Sequence, residues 1–247
     1  MLLCPEINLK MKKHNFSAGP CILPQEVMQK AAQAVVELDN SGLSLIEISH
    51  RSRAFIEIME KATSLAIEQL GLEGKGYKAM FLQGGASQQF LNVANNFLET
   101  KAGYANTGTW STKAIKEAKL LGEVVELSSS KDANFNYIPK GFDIPSDLDY
   151  LHITTNNTIF GTQYKVLPET TVPLISDSSS DIFSLICFCR SVCKLSITRI
   201  FQICSSTALI IQEKHSRLPM RMASKKPPPR EGAGAGRACA DFRGAPP

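Results

Sequence analysis

The stretch that most constrains this chain is Phe81-Leu82-Gln83-Gly84-Gly85-Ala86-Ser87-Gln88-Gln89-Phe90. The apolar run from Tyr77 to Leu82 predicts a buried strand, and Gly84-Gly85 breaks it. Small polar residues then open a helix whose apolar positions Phe90, Val93, Ala94 and Phe97 recur at helical spacing. Strand, glycine turn and helix start in that order aim backbone N–H groups and the positive helix end at one point. That point suits a phosphate. The same pattern also serves as a plain strand-to-helix turn that binds nothing, so the turn alone leaves both readings open.

Upstream, Pro24 suits the first turn of a helix carrying Val27, Ala31, Ala34, Val35 and Leu38 on one face, ended by Asn40-Ser41-Gly42. Ile46 to Arg51 reads as a short extended piece. A second helix is expected from about Arg53 to Leu70, burying Phe55, Met59, Ala62, Ala66 and Leu70. Downstream come a strand at 102–106 and a turn at 107–110. Ser111 is expected to cap a helix running to Leu121. Further strands are expected at 124–127, 150–155 and 172–176, with a loop over 128–147. Alternating strands and helices predict an α/β domain with a mostly parallel sheet and flanking helices. Ligands in such sheets collect beyond the carboxyl ends of strands. Gly84-Gly85, Trp110, Thr158 and Asp177 all occupy that kind of position.

The composition changes near Ser184. Residues 185–247 carry 11 Lys+Arg against 3 Asp+Glu, a net +8, whereas 1–184 carry 16 against 20, a net −4. Five of the seven cysteines (Cys187, Cys189, Cys193, Cys204, Cys239) also lie beyond that point. They lack paired C-x-x-C spacing and ligand-spaced histidines, so no zinc site is expected. Lys225-Lys226-Pro227-Pro228-Pro229 and the Gly-Ala repeat at 232–236 are low-complexity, and disorder is expected from about 212. The division expected is an N-terminal extension over 1–11, an α/β domain over 12–184 and an unrelated basic tail over 185–247. No secretory signal is expected, because Met1 to Lys10 holds no long apolar run, and no membrane span, because Arg190, Lys194 and Arg199 interrupt the most apolar stretch. A cytoplasmic protein that meets neither membrane nor nucleic acid is the reading.

A phosphate cradle, a flat aromatic, a hydroxyl and a carboxylate on strand ends suit a planar phosphorylated cofactor with a ring nitrogen, as in pyridoxal 5′-phosphate (PLP). Taken singly the residues are less telling. Trp110 could be plain packing, Asp177 a strand-end residue, His50-Arg51 a solvated basic pair, and His152 a core histidine.

Six segments then carry a resemblance. Phe16-Ser17-Ala18-Gly19-Pro20, Glu47-Ile48-Ser49-His50-Arg51, Gln83-Gly84-Gly85-Ala86-Ser87, Asn106-Thr107-Gly108-Thr109-Trp110, Thr154-Thr155-Asn156-Asn157-Thr158-Ile159 and Asp177 to Ser184 resemble, in order, the phosphoserine aminotransferases of class V. The resemblance covers about residues 12–184. It implies the large domain of the PLP-dependent fold type I transferases, incomplete in this chain, and a homodimer. It also implies amino transfer between phosphoserine and 2-oxoglutarate, giving 3-phosphohydroxypyruvate and glutamate, in serine synthesis. On that resemblance Ala86 and Ser87 would hold the cofactor phosphate, Trp110 would stack on its ring, Thr158 would bond its oxygen and Asp177 its pyridinium. Ser17, His50 and Arg51 would line the substrate site.

The family's lysine that forms the Schiff base sits in a small-residue turn after the segment matching Ser184, and no such turn occurs in this sequence. Lys194 has the wrong neighbours, Ser191-Val192-Cys193 and Leu195-Ser196-Ile197. The expectation is a truncated, inactive aminotransferase whose PLP binding is weak or lost, with a frameshift, splice or assembly junction near Ser184. The alternative is a non-catalytic isoform or binding protein that uses the residual pocket or the basic tail. A nucleotide binder of another class ranks last, because the glycine spacing fits neither dinucleotide nor P-loop motifs.

Overall fold

The computed structural model of the chain describes residues 13–17 and 21–184, and the backbone of 208–213. Helices α1 (Gln25–Val36) and α2 (Arg53–Gln69) precede strand β1 (Tyr77–Leu82) and helix α3 (Gly85–Phe97). Then follow β2 (Lys101–Asn106), α4 (Thr109–Ala118), β3 (Glu123–Ser129), β4 (Leu151–Thr154), β5 (Asn156–Asn157), β6 (Thr162–Gln163), β7 (Leu174–Asp177) and β8 (Ala208–Glu213). One sheet has the order β3-β2-β4-β7, and all its pairs are parallel. The expected α/β domain with flanking helices is therefore present.

Alternation along these strands divides the core. Tyr104, Tyr150 and Ile175 face α3 and α4, where they meet Phe90, Val93, Ala94, Phe97, Ala114, Ile115 and Ala118. Ala105, Leu151, Ile153 and Leu174 face the other way, onto Leu148, Tyr164, Leu167 and Val172. Strands buried on both faces read as continuous apolar runs, which is why β4 and β7 are legible in the sequence.

Local chemistry accounts for the departures from expectation. Residues 46–51 form turns instead of an extended piece. The Ser44 N–H donates to Glu47 Oε2 at 2.8 Å and the Arg51 N–H to Ser49 Oγ at 3.2 Å. Such short-range side-chain bonds compete with strand pairing. The expected apolar face of α1 is not buried, since Val27 and Val35 are about half exposed. Only its C-terminal end is tied down, with Ser44 Oγ donating to Val35 O at 2.5 Å. Ser111 does not precede α4 but sits in its first turn. Its hydroxyl accepts from the N–H groups of Thr107 and Gly108, each at 2.9 Å.

Residues 208–213 also differ from expectation. They pair antiparallel with β1, from Tyr77↔Glu213 to Leu82↔Ala208, so part of the region after Ser184 packs on the domain. The run Ala208-Leu209-Ile210-Ile211 has strand-forming composition, and β8 is the only strand paired with β1 among the described residues. The pairing ends at Glu213, at about the position from which disorder is expected, and residues 214–247 lie outside the described residues. The N-terminal extension, Lys194, the tail cysteines and the proline-rich segment lie outside the described residues.

Candidate functional site

Four chain segments converge on one cavity of about 420 Å³. It is lined by Gly84, Gly85, Ala86, Ser87, Phe90, Trp110, Asn156, Thr158, Asp177, Ser179 and Ser180. All five residues expected to hold a cofactor are among them. The volume suits a small molecule.

The floor is the start of α3. Gly84 caps that helix in the left-handed region, at φ +99°, and a Cβ there would fall 2.4 Å from Gln88 Cβ. Only glycine fits. A cap without a side chain leaves the first-turn N–H groups uncovered, so this positive helix end faces the cavity. Gln89 Nε2 braces the turn from behind by donating to Gln83 O at 2.9 Å.

One wall is Trp110. Its Nε1–H donates to Thr158 Oγ1 at 3.3 Å, and the Lys113 ammonium sits 4.5 Å from its ring centroid. Because Thr158 Oγ1 accepts from the indole, its own proton is free to point elsewhere. Gly108 permits the close approach of these segments, since a Cβ would lie 2.7 Å from Asn157 Oδ1.

The opposite end is Asp177, the last residue of β7 and only 4% exposed. The N–H and hydroxyl of Ser179 both donate to its Oδ1. Burial pushes the carboxyl up to about 6; the Ser179 bonds oppose that shift, and the nearby Asp181 charge adds to it. No lysine or arginine pairs with it among the described residues. A buried carboxylate without a cation is costly unless a cationic ligand completes it. A protonated ring nitrogen would do so. Uncapped helix N–H groups, an indole face, a hydroxyl with a free proton and a carboxylate without a cation make a donor set that fits PLP.

Ser179 was missed in the sequence, although Asp-x-Ser is the spacing of an Asx turn. Phe90, Asn156 and Ser180 were missed as lining residues. The expected substrate residues do not reach this cavity. His50 lines a separate surface groove with Phe55 and Met59. Arg51 is exposed. Ser17 is exposed too, with its N–H donating to Asn15 Oδ1 at 2.9 Å. His152 is indeed a core residue, stacked on Tyr104 with ring centroids 4.8 Å apart.

No protein-family model matches the chain. The phosphoserine aminotransferase of Flavobacterium johnsoniae is 60% identical over 176 residues, covering 70% of this chain and 49% of that protein. The structure of the Bacillus circulans subsp. alkalophilus phosphoserine aminotransferase aligns with a TM-score of 0.77 at 34% identity, covering 87% of this chain and 61% of that one. The PLP-bound phosphoserine aminotransferase of Trichomonas vaginalis aligns with a TM-score of 0.73 at 30% identity, over 82% of this chain and 58% of that one. The chain spans about half the length of the curated relatives it matches. Over about its N-terminal 70% this chain is similar in sequence and structure to phosphoserine aminotransferases, and it has the α/β fold of the PLP-dependent class V enzymes.

Proposed function

We propose that this chain carries the cofactor-binding part of a phosphoserine aminotransferase and binds PLP in the cavity between the start of α3, the first turn of α4, the β5 segment and the end of β7. The observation that carries the reading is Asp177, a buried carboxylate opposite a helix N-terminus across one small cavity. Ala86 and Ser87 would receive the phosphate on backbone N–H groups and the Ser87 hydroxyl. Trp110 would hold the ring by stacking, and Thr158 would donate to the ring oxygen. Asp177 would hold a proton on the ring nitrogen. When bound, the cofactor supplies an electron sink for amino transfer between phosphoserine and 2-oxoglutarate.

No lysine lines the cavity among the described residues, and Lys113 lies against the Trp110 ring instead. A positioned amine is needed to carry protons in the reaction. We therefore expect the chain by itself to bind the cofactor without turning over phosphoserine. A second copy of the chain is the expected partner, which the half-exposed Val27, Met28 and Val35 of α1 support.

Trp110 is the sole tryptophan, so its fluorescence reports on this cavity alone. Titration with PLP or pyridoxamine 5′-phosphate should quench it saturably, and inorganic phosphate should compete. Fluorescence unmoved by either compound at millimolar concentration would refute the reading.

A further inference from the structure

Beneath the cavity lies a second buried carboxylate that no cofactor contact explains. Asp181 is 8% exposed and follows Asp177 in the turn after β7. Its Oδ1 lies 2.6 Å from Thr155 Oγ1, and its Oδ2 accepts from Gln163 Nε2 at 3.2 Å. No lysine or arginine pairs with it among the described residues.

Thr155 Oγ1 has one proton and three neighbours that could take it. Asp181 Oδ1 is at 2.6 Å, while Asp177 O and Ser178 Oγ are each at 3.1 Å. The shortest, charge-assisted bond wins, so Thr155 donates to Asp181. The Thr155 N–H meanwhile donates to Asp177 O at 2.9 Å. One residue thus grips the backbone of Asp177 and the side chain of Asp181 together. The Asp181 N–H closes the turn on Ser178 O at 3.2 Å, and Ser176 and Ser178 share a hydroxyl bond at 2.9 Å.

The short bond from Thr155 does not by itself call for a carboxylate. An asparagine oxygen would accept the same proton without the cost of burying a charge, forgoing only the longer bond from Gln163 Nε2. What the carboxylate adds is a second negative charge behind the first.

We propose that Asp181 is a positioning residue for Asp177: through Thr155 it fixes the turn that carries that carboxylate, and its charge makes this end of the cavity select a protonated heteroaromatic nitrogen. The inference rests on the cofactor reading above. The described groups around Asp177 leave few other sources of charge. Asp181 comes from the turn after β7. His152, on β4 two residues before Asp177's register partner Thr154, is buried and neutral, its burial lowering it to about 3. From α3 and α4 the cavity receives Ala86, Ser87, Phe90 and Trp110, none of them charged.

The test measures pyridoxamine 5′-phosphate affinity by Trp110 quenching from pH 5 to 8, on the full chain and four variants whose folding is checked by circular dichroism. Pyridoxamine 5′-phosphate has no aldehyde, so surface lysines do not trap it. Asp181→Asn should weaken binding at pH 7.5 by about tenfold and move the acid limb of binding to lower pH, because Asp177 then ionises more readily. Thr155→Val should also weaken binding, and Thr155→Ser should restore it. Asp181→Asn binding like the parent, or weakening equally at every pH, would overturn the proposal, the latter marking Asp181 as merely structural. Asp177→Asn separates the two claims. If it too binds like the parent, the cofactor reading itself falls. If it weakens binding while Asp181→Asn does not, only this inference falls.

Discussion

Trp110 Nε1 donates to Thr158 Oγ1 across 3.3 Å, joining the first turn of α4 to the turn after β5. The bond orients an indole wall and a hydroxyl against each other in a cavity that also meets Asp177 and the start of α3. Replacing Trp110 by Phe keeps an aromatic face but removes the donor that aligns Thr158. Pyridoxamine 5′-phosphate affinity, read by competition or calorimetry, should fall about three- to tenfold, matching the worth of the one hydrogen bond that orients Thr158. Unchanged affinity in Trp110→Phe and Trp110→Ala alike would show that this wall does not touch the ligand.

Asp177 should trade stability against binding. Its burial disfavours the ionised form, which is why its carboxyl is raised to about 6 from 3.8. Asp177→Asn should therefore stabilise the ligand-free fold at pH 7.5, by up to about 3 kcal/mol from a shift of this size. The same change should weaken cofactor binding ten- to a hundredfold by removing a charge-assisted bond, on the order of 1.5–3 kcal/mol. Urea unfolding with and without ligand measures both effects. A variant that loses stability and affinity together would contradict the trade.

Gly108 is required by the approach of the Asn157 and Phe160 side chains to its backbone. An added Cβ would meet Asn157 Oδ1 at 2.7 Å and Phe160 Cδ2 at 3.1 Å. Asn157 cannot swing away freely, because its Nδ2 donates to Thr162 Oγ1 at 3.1 Å. Gly108→Ala should cost about 1–3 kcal/mol of overpacking and displace Thr158, the residue after Asn157. A thermal melt within a degree of the parent, with ligand affinity intact, would show that the turn yields more easily than its bonds suggest.

The turn at Gly84-Gly85 and the strand-end positions of Trp110, Thr158 and Asp177 were legible because each feature is local. A strand, a glycine pair and a helical apolar face follow one another within twenty residues, and Asp177 ends an apolar run. The placement of His50 and Arg51 was not legible. Serine and glutamate side chains around them bond to nearby backbone, and nothing in composition separates such turns from a short strand. The Thr155–Asp181 bond links positions 26 apart, which only the fold brings together. The two-residue hairpin of β5 and β6 is too short for any period to register. The strand at 208–213 was hidden because charge and cysteine content around it dominate the reading of that region, while its four-residue apolar run carries little periodic signal.

The pairing of β8 with β1 gives a direct measurement. Amides of 77–82 and 208–213 should exchange together in a hydrogen-exchange experiment, as one cooperative unit. Deleting 208–247 should accelerate exchange across 77–82 while leaving 101–106 and 151–154 slow, since β2 and β4 belong to the other sheet. Protection of 77–82 unaltered by the deletion would mean that β8 does not hold that edge.

The final prediction concerns acid. His152 is fully buried, stacked between Tyr104 and the edge of Phe90, and neither ring nitrogen has a partner among the described residues. Burial lowers it from 6.5 to about 3. The unfolded chain protonates at 6.5 while the fold does not, so His152 contributes stability above that pH and loses it as pH falls towards 3. Asp177 runs the other way. Its folded value near 6 lies above 3.8, so the fold binds a proton that the unfolded chain releases, and stability falls as pH rises through that window. Each group has a slope of about 1.4 kcal/mol per pH unit where only one state is protonated. Between pH 3.8 and 6 the slopes have opposite sign and nearly cancel. The parent chain should thus show little pH dependence from these two groups across that interval. His152→Phe should instead gain stability on acidification from pH 6 to 4, whatever its absolute stability, because Asp177 then acts alone. Asp177→Asn should lose stability steadily from pH 6.5 downward, because His152 then acts alone. Urea midpoints at half-unit intervals of pH read all three curves, and three parallel curves would exclude both assignments.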